Sequence, residues 1–394
     1  MKSYHFFPVF LALLGSYIAL HFYSAAWLAR NFALSAGAAR TVRLLFLLLA
    51  FFAPFTMFLR HRWAAPALDP LYIAGYSWMG VILVIGFTFL CSDLLALGLK
   101  FLLSPSGMHN FRLGSVAFLG LLIPYAFYNG LKVPPLKEVR CTVPGLPPGL
   151  DGLKIAQLSD MHVDSAYKLG QFSAVVDLVN ARKPDLVLVT GDLVDPGLTC
   201  STRLGELVRK LKPRLGVYGV FGNHEYYYGY EKSLACYKEF GIKLLMNESV
   251  DLADPEPFPK GTKGATGLRL IGLGDIMTEK MTEKAVGDIL EKNRKAGISI
   301  LMSHQPIMLE LMSETGDYIG FSGHTHRGQI FPFHIFTRMV YKHFYGLYRL
   351  KNSFFYVTSG AGTWGPPLRL FAPSEIPVIT LTRDRYGHMM SGPI

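Results

Sequence analysis

Cysteine is scarce in this 394-residue chain, and its four cysteines form no C-x-x-C pair. The lack of such a pair excludes a zinc knuckle and a dithiol redox motif. Cys91 falls in an apolar stretch, which leaves an odd number elsewhere, namely Cys141, Cys200 and Cys236. We therefore expect no disulfide framework, and this favours a reducing compartment for the polar part of the chain.

Long runs of like charge and low-complexity tracts are also missing, and the C-terminal part shows no internal repeat. The chain therefore lacks a basic tail of the kind that binds nucleic acid. The formal net charge is nonetheless +11, which favours an anionic partner such as lipid headgroups, a phosphorylated substrate or nucleic acid. Because no nucleic-acid-binding appendage is visible, nucleic acid is the least favoured of the three.

Apolar residues, by contrast, are abundant: they make up 51% of the chain, and the excess lies before about residue 132. Four apolar segments occur there, at about residues 4–28, 44–59, 71–103 and 113–131. A membrane-spanning helix needs about 20 mostly apolar residues, so three segments qualify, and the second qualifies only with its flanking residues. Buried helices of a soluble core would show a polar stripe every 3.6 residues, which these segments do not.

These segments divide the chain into three parts. We predict a transmembrane region of about four helices over residues 1–132, a linker with an edge strand over 133–152, and a catalytic domain over 153–394. Four spans place both ends on one side of the membrane, and the positive-inside rule leans toward the cytoplasm for both. His21 and Asp93 lie in or near the spans, where an ionisable group invites a functional interpretation; contact with a neighbouring helix is the favoured alternative.

After residue 153, short apolar runs alternate with helical patterns, which predicts an α/β fold. Strands are expected at 153–158, 185–190, 216–221, 268–273, 298–302 and 319–321, and helices at 172–181, 203–211, 231–240 and 284–296.

Polar blocks follow five of these strands. They are Asp160-Met161-His162, Gly191-Asp192-Leu193-Val194-Asp195, Gly222-Asn223-His224-Glu225, Ser303-His304-Gln305-Pro306 and Gly323-His324-Thr325-His326. In open α/β sheets the ligand crevice lies at the carboxyl ends of the strands, so these distant blocks are expected to meet. Carboxylate, amide and imidazole ligands together suit Mn, Fe, Zn or Co rather than Mg or Ca alone. Each block is a weak signal by itself, but all five in this order make coincidence improbable.

The blocks resemble the D-x-H, G-D-x-x-D, G-N-H-D/E, H and G-H-x-H signature of the calcineurin-like metallophosphoesterase superfamily, over about residues 153–381. Their details are similar to the bacterial YkuE/YaeI-like branch, which is related to UDP-2,3-diacylglucosamine pyrophosphatases. The resemblance implies a four-layer α/β/β/α metallophosphoesterase sandwich, here preceded by an α-helical transmembrane bundle. A bacterial inner membrane is the expected location, and the positive-inside rule places the catalytic domain on its cytoplasmic side.

The resemblance also implies a role for each signature residue. Asp160, His162 and His326 would hold one divalent metal ion, Asn223, His304 and His324 the other, and Asp192 would bridge both. Mn²⁺ is the first expectation for both ions, with Fe, Zn or Co as alternatives; two such ions can activate a shared hydroxide. The catalytic residues would be His224, which protonates the leaving oxygen, and Asn223, which offsets phosphoryl charge. The candidates for orienting ligands or contacting substrate are Asp195, Glu225, Asp275 and Arg327.

Residues 329–356, directly after the last of these blocks, interleave aromatic and basic side chains. Such a surface suits a membrane interface, where rings lie at the headgroup level and cations meet lipid phosphate. Packing of this segment on the domain is the alternative.

We therefore expect a membrane-anchored hydrolase of a phosphodiester or pyrophosphate bond. A UDP-2,3-diacylglucosamine-like lipid, and hence a place in lipid A biosynthesis, is the most concrete amphiphilic substrate. A tethered phosphodiesterase or phosphatase acting on a soluble nucleotide is one alternative, and a non-catalytic metal-binding scaffold is another. The sequence leaves the oligomeric state open.

Overall fold

The structure, a computed structural model, describes residues 6–63, 66–195, 200–252, 268–294 and 299–383. The chain forms two compact units. The helical unit comprises Met1–Leu131 with two short segments, Ile330–Pro332 and Trp364–Phe371. The catalytic unit comprises Lys132–Gln329, Phe333–Thr363 and Ala372–Ile394.

The helical unit contains four long helices: α1 (Phe6–Asn31), α2 (Ala36–Trp63), α3 (Asp69–Leu99) and α4 (Pro105–Leu131). Among the described residues, three helical stretches are long and apolar enough to cross a membrane: Ala36–Arg60, Asp69–Leu99 and Pro105–Leu131. Helix α2 is longer than the apolar segment 44–59. Its first turns contain Arg40 and Arg43, which interrupt the apolar pattern but are good helix formers.

One carboxylate, Asp93 in α3, joins three helices of this unit. Its oxygens accept hydrogen bonds from Tyr23 Oη at 2.8 Å, Trp27 Nε1 at 3.1 Å and Arg30 Nη2 at 2.8 Å. Arg112 of α4 adds an ion pair at 2.9 Å. Asp93 therefore makes the helix contact that was the favoured interpretation of its position.

His21 in α1 is likewise held by its neighbours. Trp78 Nε1 of α3 donates to His21 Nε2 at 2.9 Å. His21 Nδ1 lies 2.9 Å from the carbonyl oxygen of Tyr17 and so carries the proton. Both ring nitrogens are used within the helical unit.

The two short segments of the helical unit pack among its helices. The Phe331 ring lies 5.1 Å from that of Phe87 in α3, and Ile330 forms a bridge with Leu370. Phe331 directly precedes Pro332, the last residue of its segment.

The catalytic unit contains two six-stranded sheets. The strands are β1 (Leu136–Val143), β2 (Lys154–Leu158), β3 (Leu186–Thr190), β4 (Val217–Val220), β5 (Lys243–Leu244), β6 (Glu248–Asp251), β7 (Arg269–Gly272), β8 (Ser299–Met302), β9 (Tyr318–Ser322), β10 (Gly346–Leu350), β11 (Ser353–Val357) and β12 (Ile376–Arg383). Their orders are β1-β12-β2-β3-β4-β5 and β10-β11-β9-β8-β7-β6. The helices are α5 (Ala166–Ala181), α6 (Thr202–Arg209), α7 (Asn223–Tyr228), α8 (Tyr230–Phe240), α9 (Glu283–Asn293), α10 (Leu309–Thr315) and α11 (Phe333–Val340).

Three apolar cores stack these elements in four layers. One core joins the two sheets through side chains such as Leu188 of β3 and Ile300 of β8. A second packs α5, α6 and α8 on the outer face of the first sheet. A third packs α9 and α10 on the second sheet. The predicted α/β/β/α sandwich is confirmed.

The strands that precede the polar blocks run parallel within each sheet. β2 pairs with β3, and β3 with β4, as in the register Leu158↔Val189. In the other sheet β7, β8 and β9 also pair in parallel. Parallel strands bring their carboxyl ends to one edge of the sheet, so each sheet presents its polar blocks together.

The first sheet also uses the residues that follow the helical unit. β1 lies at its edge and pairs in parallel with β12, from Leu136↔Ile376 to Val143↔Arg383.

The structure corrects the expectation about cysteine, because Cys200 and Cys236 form a disulfide with their Cα atoms 5.4 Å apart. Cys200 lies just before α6 and Cys236 lies in α8, so the packing of these helices brings the two together. Sequence spacing cannot reveal a pair 36 residues apart. Because disulfides persist in oxidising compartments, the cysteines no longer favour a reducing compartment for this part of the chain.

Candidate metal centre

The five polar blocks meet at the carboxyl ends of the strands. Within the described residues, three groups of His and Asp side chains have ligand atoms within 4.8 Å of one another. They are Asp160, His162 and His326; Asp192, His304 and His324; and His162, Asp192 and His224. The first two groups have the composition expected for two neighbouring metal sites, and Asp192 belongs to two of the three groups.

Hydrogen bonds fix which nitrogen of two histidines carries the proton. His162 Nδ1 lies 2.9 Å from Asp195 Oδ2, and His304 Nδ1 lies 2.8 Å from the carbonyl oxygen of Thr190. A carboxylate and a carbonyl accept only, so both Nδ1 atoms are the donors. In the neutral rings, each Nε2 is left with a lone pair.

These lone pairs face other ring nitrogens. His162 Nε2 lies 2.9 Å from His326 Nε2, and His304 Nε2 lies 3.2 Å from His324 Nδ1. Each of these nitrogen pairs needs either a proton, which makes it an N–H···N hydrogen bond, or a cation, because two bare lone pairs facing each other would be unfavourable. The arrangement is the one that imidazole ligands adopt around a shared metal ion.

Asn223 offers a further oxygen of the kind a metal ion needs. Its side chain is buried, and Oδ1 has no hydrogen-bond partner within the described part of the chain. A buried amide oxygen without a partner costs free energy in most proteins. Together with two carboxylates and four imidazoles, this oxygen fits a pair of divalent cations, and these are the residues that would hold them.

The backbone is strained at the same positions. Asp160, His162, Asp192, His324 and His326 all have positive φ, between 46° and 70°. For residues with a side chain this region costs on the order of 1–3 kcal/mol each and clusters at functional sites. It turns each side chain off the end of its strand and toward the common centre.

Two glycines leave the space that this crowding requires. A Cβ at Gly222 would collide with Asp192 Oδ1, and one at Gly323 would collide with Ser159 Oγ and Asp160 Oδ2. Gly222 and Gly323 therefore allow the ligands around them to approach closely.

Glu225 holds two of the blocks together. Its carboxylate accepts hydrogen bonds at 2.8–3.2 Å from the backbone N–H groups of Asp192, Leu193, Val194 and Gly222. Tyr237 Oη donates to it as well, at 3.0 Å. Glu225 therefore fixes the backbone of the second and third blocks, and it acts on Asp192 through the main chain.

Asp195 holds two histidines at once. One oxygen accepts from His162 Nδ1, and the other makes a short hydrogen bond with His224 Nδ1. Burial alone would raise the pKa of Asp195, but His162 and His224 outweigh it and lower that pKa below its ordinary value. Asp195 is therefore an ionised carboxylate that orients both rings.

His224 carries a positive charge as a result. Burial lowers its pKa, but the hydrogen bond with Asp195 and the charges of Asp192 and Asp195 outweigh burial and raise the pKa to about 9. At neutral pH both ring nitrogens are then protonated. With Nδ1 bound to Asp195, Nε2–H remains as a donor.

Asp275 and Arg327, unlike the predicted Asp and His ligands, belong to none of the three ligand groups. Asp275 is buried and accepts from Thr278 N at 2.8 Å, so it caps a turn after β7. The Arg327 guanidinium lies 4.3 Å from the centre of the Tyr345 ring, a cation–π contact. Asp275 Oδ2 is buried without a hydrogen-bond partner among the described residues, and the charge of Asp275 is among the causes that raise the pKa of His304.

Sequence reasoning missed Tyr341, whose Oη lies 2.8 Å from His324 Nε2. Burial and the charge of Asp275 raise the pKa of Tyr341 to about 12, so the hydroxyl stays protonated. The only signal for it in the sequence was its place in the aromatic and basic segment 329–356. The contact leaves His324 Nδ1 facing His304.

Comparison with known proteins agrees with this geometry. The profile of the calcineurin-like phosphoesterases matches residues 153–328, which contain all five polar blocks. An uncharacterized metallophosphoesterase of Helicobacter pylori is 34% identical over 282 residues, covering 70% of this chain and 71% of that protein. The chain belongs to the calcineurin-like phosphoesterase family. Members of this family use divalent metal ions, and the chain is accordingly a metallophosphoesterase that acts on phosphoric ester or anhydride bonds.

Two further relatives show how far the likeness to this family extends. A transmembrane protein with metallophosphoesterase domain from Danio rerio is 30% identical over 327 residues, or 79% of this chain and 74% of that protein. The uncharacterized metallophosphoesterase YkuE of Bacillus subtilis is 32% identical over 248 residues, or 60% of this chain and 81% of that protein.

Proposed function

We propose that this metallophosphoesterase is anchored in a membrane and cleaves a phosphodiester or pyrophosphate bond of an amphiphilic substrate with two divalent ions, Mn²⁺ first. The observation that carries the proposal is the set of three overlapping ligand groups, in which His162 and Asp192 each belong to two, together with a histidine that keeps a proton to donate. Asp160, His162 and His326 would hold one ion. Asn223, His304 and His324 would hold the other, and Asp192 would bridge them.

When bound, such ions supply Lewis acidity and a strong nucleophile at neutral pH. The chain's own residues do the rest. Asp195 keeps His224 charged and oriented, so that Nε2–H can donate a proton to the leaving oxygen. Glu225 holds the backbone around Asp192 in place, and Tyr341 holds the His324 ring. These contacts fix the positions of the groups before substrate binds, which is what such catalysis needs.

The candidate membrane helices support an amphiphilic substrate, and a UDP-2,3-diacylglucosamine-like lipid is the concrete proposal, with a place in lipid A biosynthesis. The alternatives are a soluble nucleotide and a non-catalytic scaffold. The scaffold alternative is disfavoured because Asp195 and His224 keep a proton donor that metal binding alone does not need.

The test is hydrolysis by the full-length protein in detergent with Mn²⁺, using UDP-2,3-diacylglucosamine and a generic aryl phosphodiester. Asp192→Asn and His224→Ala are compared with Asp288→Asn, a matched control on the exposed face of α9. We expect the lipid nucleotide to be cleaved by the wild type and the control, and the activity to be lost in both site variants.

Cleavage of the aryl ester alone would keep the hydrolase and discard the lipid. No cleavage of either substrate by protein with two bound ions would favour the scaffold. Activity unchanged by His224→Ala would overturn the proposed proton donor.

The side of the membrane is proposed separately. The loop charges support the cytoplasmic side of a bacterial inner membrane, whereas the Cys200–Cys236 disulfide supports an oxidising compartment. We keep the cytoplasmic side as the proposal and expect Cys200 and Cys236 to react with a thiol reagent in quenched cell extracts without reductant. Full protection until reductant is added would place the catalytic unit on the other side.

A further inference from the structure

Helix α11 (Phe333–Val340) presents an apolar surface to its surroundings. Five large apolar side chains of this eight-residue helix are exposed: Phe333, Ile335, Phe336, Met339 and Val340. The last two are 78% and 72% exposed. Side chains of this kind usually stand singly on a protein surface, and a contiguous group marks a site that something else covers.

The arrangement of these five side chains is that of an interfacial helix. At 3.6 residues per turn they fall within one arc of about 160°. His334, Thr337 and Arg338 occupy the opposite arc. A short helix with one apolar face and a polar, basic face lies in the plane of a membrane with its apolar face in the headgroup and acyl boundary.

The charge around α11 identifies the kind of surface it fits. Residues 333–351 contain four basic residues, Arg338, Lys342, Arg349 and Lys351, and no Asp or Glu. Lys342 and Lys351 make exposed ion pairs with Glu310 and Glu314, and Arg338 and Arg349 are exposed. Exposed cations beside an apolar face are complementary to anionic headgroups.

The ligand loop Gly323–His326 and the turn that follows it contact both ends of α11. At the first end, the His334 backbone lies so close to Gly328 that a Cβ there would collide with it. At the other end, Tyr341 continues the helix by donating from N to the Thr337 carbonyl, and its Oη meets His324. Thr325 Oγ1 also donates to the Phe344 carbonyl, at 2.6 Å. These contacts hold the helix through its ends and its backbone, and they leave its apolar side exposed.

We infer that α11 is a lipid-docking helix, whose face of Phe333, Ile335, Phe336, Met339 and Val340 inserts into an anionic bilayer surface. Chain connectivity supports a bilayer as the partner, because α11 starts at Phe333, directly after Pro332 of the helical unit. That unit contains the candidate membrane spans. Docking then places lipid beside the residues that carry His324 and His326. The inference concerns a surface and does not depend on the hydrolysis proposed above.

The test is the depth of a spin label on the full-length protein in lipid nanodiscs. One label is placed by Met339→Cys, and the matched control by Leu234→Cys on the exposed face of α8. A sample without an added cysteine measures the background from the four native cysteines. Nanodiscs of phosphatidylcholine are compared with nanodiscs that also contain phosphatidylglycerol.

We expect the label at 339 to collide several-fold more with oxygen, relative to a water-soluble nickel chelate, than the label at 234. The difference should be larger with phosphatidylglycerol, and Arg338→Gln should reduce that lipid dependence. Equal nickel accessibility at 339 and 234 in both lipids would overturn the inference. Spin–spin broadening between labels at 339, with no oxygen preference, would also overturn it and assign the face to a second copy of the chain. Unchanged thermal unfolding of the labelled variants shows that the comparison concerns folded protein.

Discussion

The molecule contains two clusters built around carboxylates, one at the partly exposed Asp93 and one at the buried ligand site, and they differ in whether donors match acceptors. In the helical unit, Asp93 receives donors from Tyr23, Trp27, Arg30 and Arg112. Donors are sufficient there, and each partner gains a contact between helices. A cluster of this kind stabilises helix packing and does not require a bound cation.

In the catalytic unit the balance is reversed. Asp195 has donors in His162 and His224, but beyond it there are buried acceptors without a donor in the described part of the chain. Imidazole nitrogens face each other, and Asn223 Oδ1 has no partner among the described residues. Buried acceptors that lack donors, next to a strained backbone, favour the binding of cations. A cluster of charged residues therefore indicates a functional site when some of its buried acceptors lack hydrogen-bond donors. Burial of a charge by itself does not.

The largest expected effect is on metal binding. Because Asp192 belongs to two ligand groups, Asp192→Asn should lower the metal content from roughly two ions per chain to one or none. Elemental analysis after dialysis measures this, with Asp288→Asn as the control. If Asp192→Asn still held two ions tightly, metal binding would not depend on the Asp192 carboxylate.

The second effect concerns pH and metal-free protein. The folded-state pKa of His224 is raised to about 9, above its ordinary value of about 6.5. Its contribution to stability is therefore fully present below about pH 6.5 and is lost as pH rises through about 9; the full contribution is on the order of 3 kcal/mol.

Thermal unfolding of chelator-treated protein between pH 6 and 10 checks this. His304 has a pKa raised to about 10 and adds a loss of the same sign, so the informative quantity is the difference between wild type and His224→Asn. That difference should shrink as pH rises. A difference independent of pH would mean that His224 is neutral throughout.

A smaller effect is expected when one donor partner is weakened and the ligands remain. Asp195→Asn keeps the shape but changes the groups that orient His162 and His224, and a change of this kind costs about 10–100-fold in metal affinity or activity. Titration with Mn²⁺ and the pH–rate profile separate the two histidines. If His162 alone depends on Asp195, metal affinity falls and the basic limb of the profile stays in place.

The smallest effect is predicted in the helical unit. Asp93→Asn weakens three hydrogen bonds, and at about 0.6 kcal/mol for each such bond in a membrane the protein should lose about 2 kcal/mol of stability. Metal content should be unchanged. Loss of metal in this variant would end the distinction between the two clusters.

Much of this site could be predicted because its chemistry is local in sequence. Each ligand block follows an apolar strand directly, as Asp160 follows β2 and His324 follows β9. Strand periodicity located the strands to within one or two residues, and parallel pairing brought their ends together. The predicted residues could therefore be placed without any knowledge of distant contacts.

What escaped prediction is what depends on distant contacts. Tyr341 reaches His324 through a turn after α11, and Cys200 meets Cys236 through helix packing. Short strands β5 and β6, and the pair β10 and β11, have too few residues to show a reliable alternation. Asp275 also follows a strand, but it caps a turn with one oxygen and belongs to none of the three ligand groups, so position after a strand does not by itself identify a ligand.

The pairing of β1 with β12 sets an order of events during synthesis. Thr142 and Thr382, whose hydroxyls meet at the sheet edge, are 240 residues apart. At 5–20 residues per second, the ribosome needs roughly 10 to 50 s to add that length. The helices α1 to α4 precede β1 and have already been made when this time begins. Throughout it, β1 has no β12 to pair with. The edge of the first sheet is thus completed only once β12 has been made, and until then β1 is a strand without its neighbour.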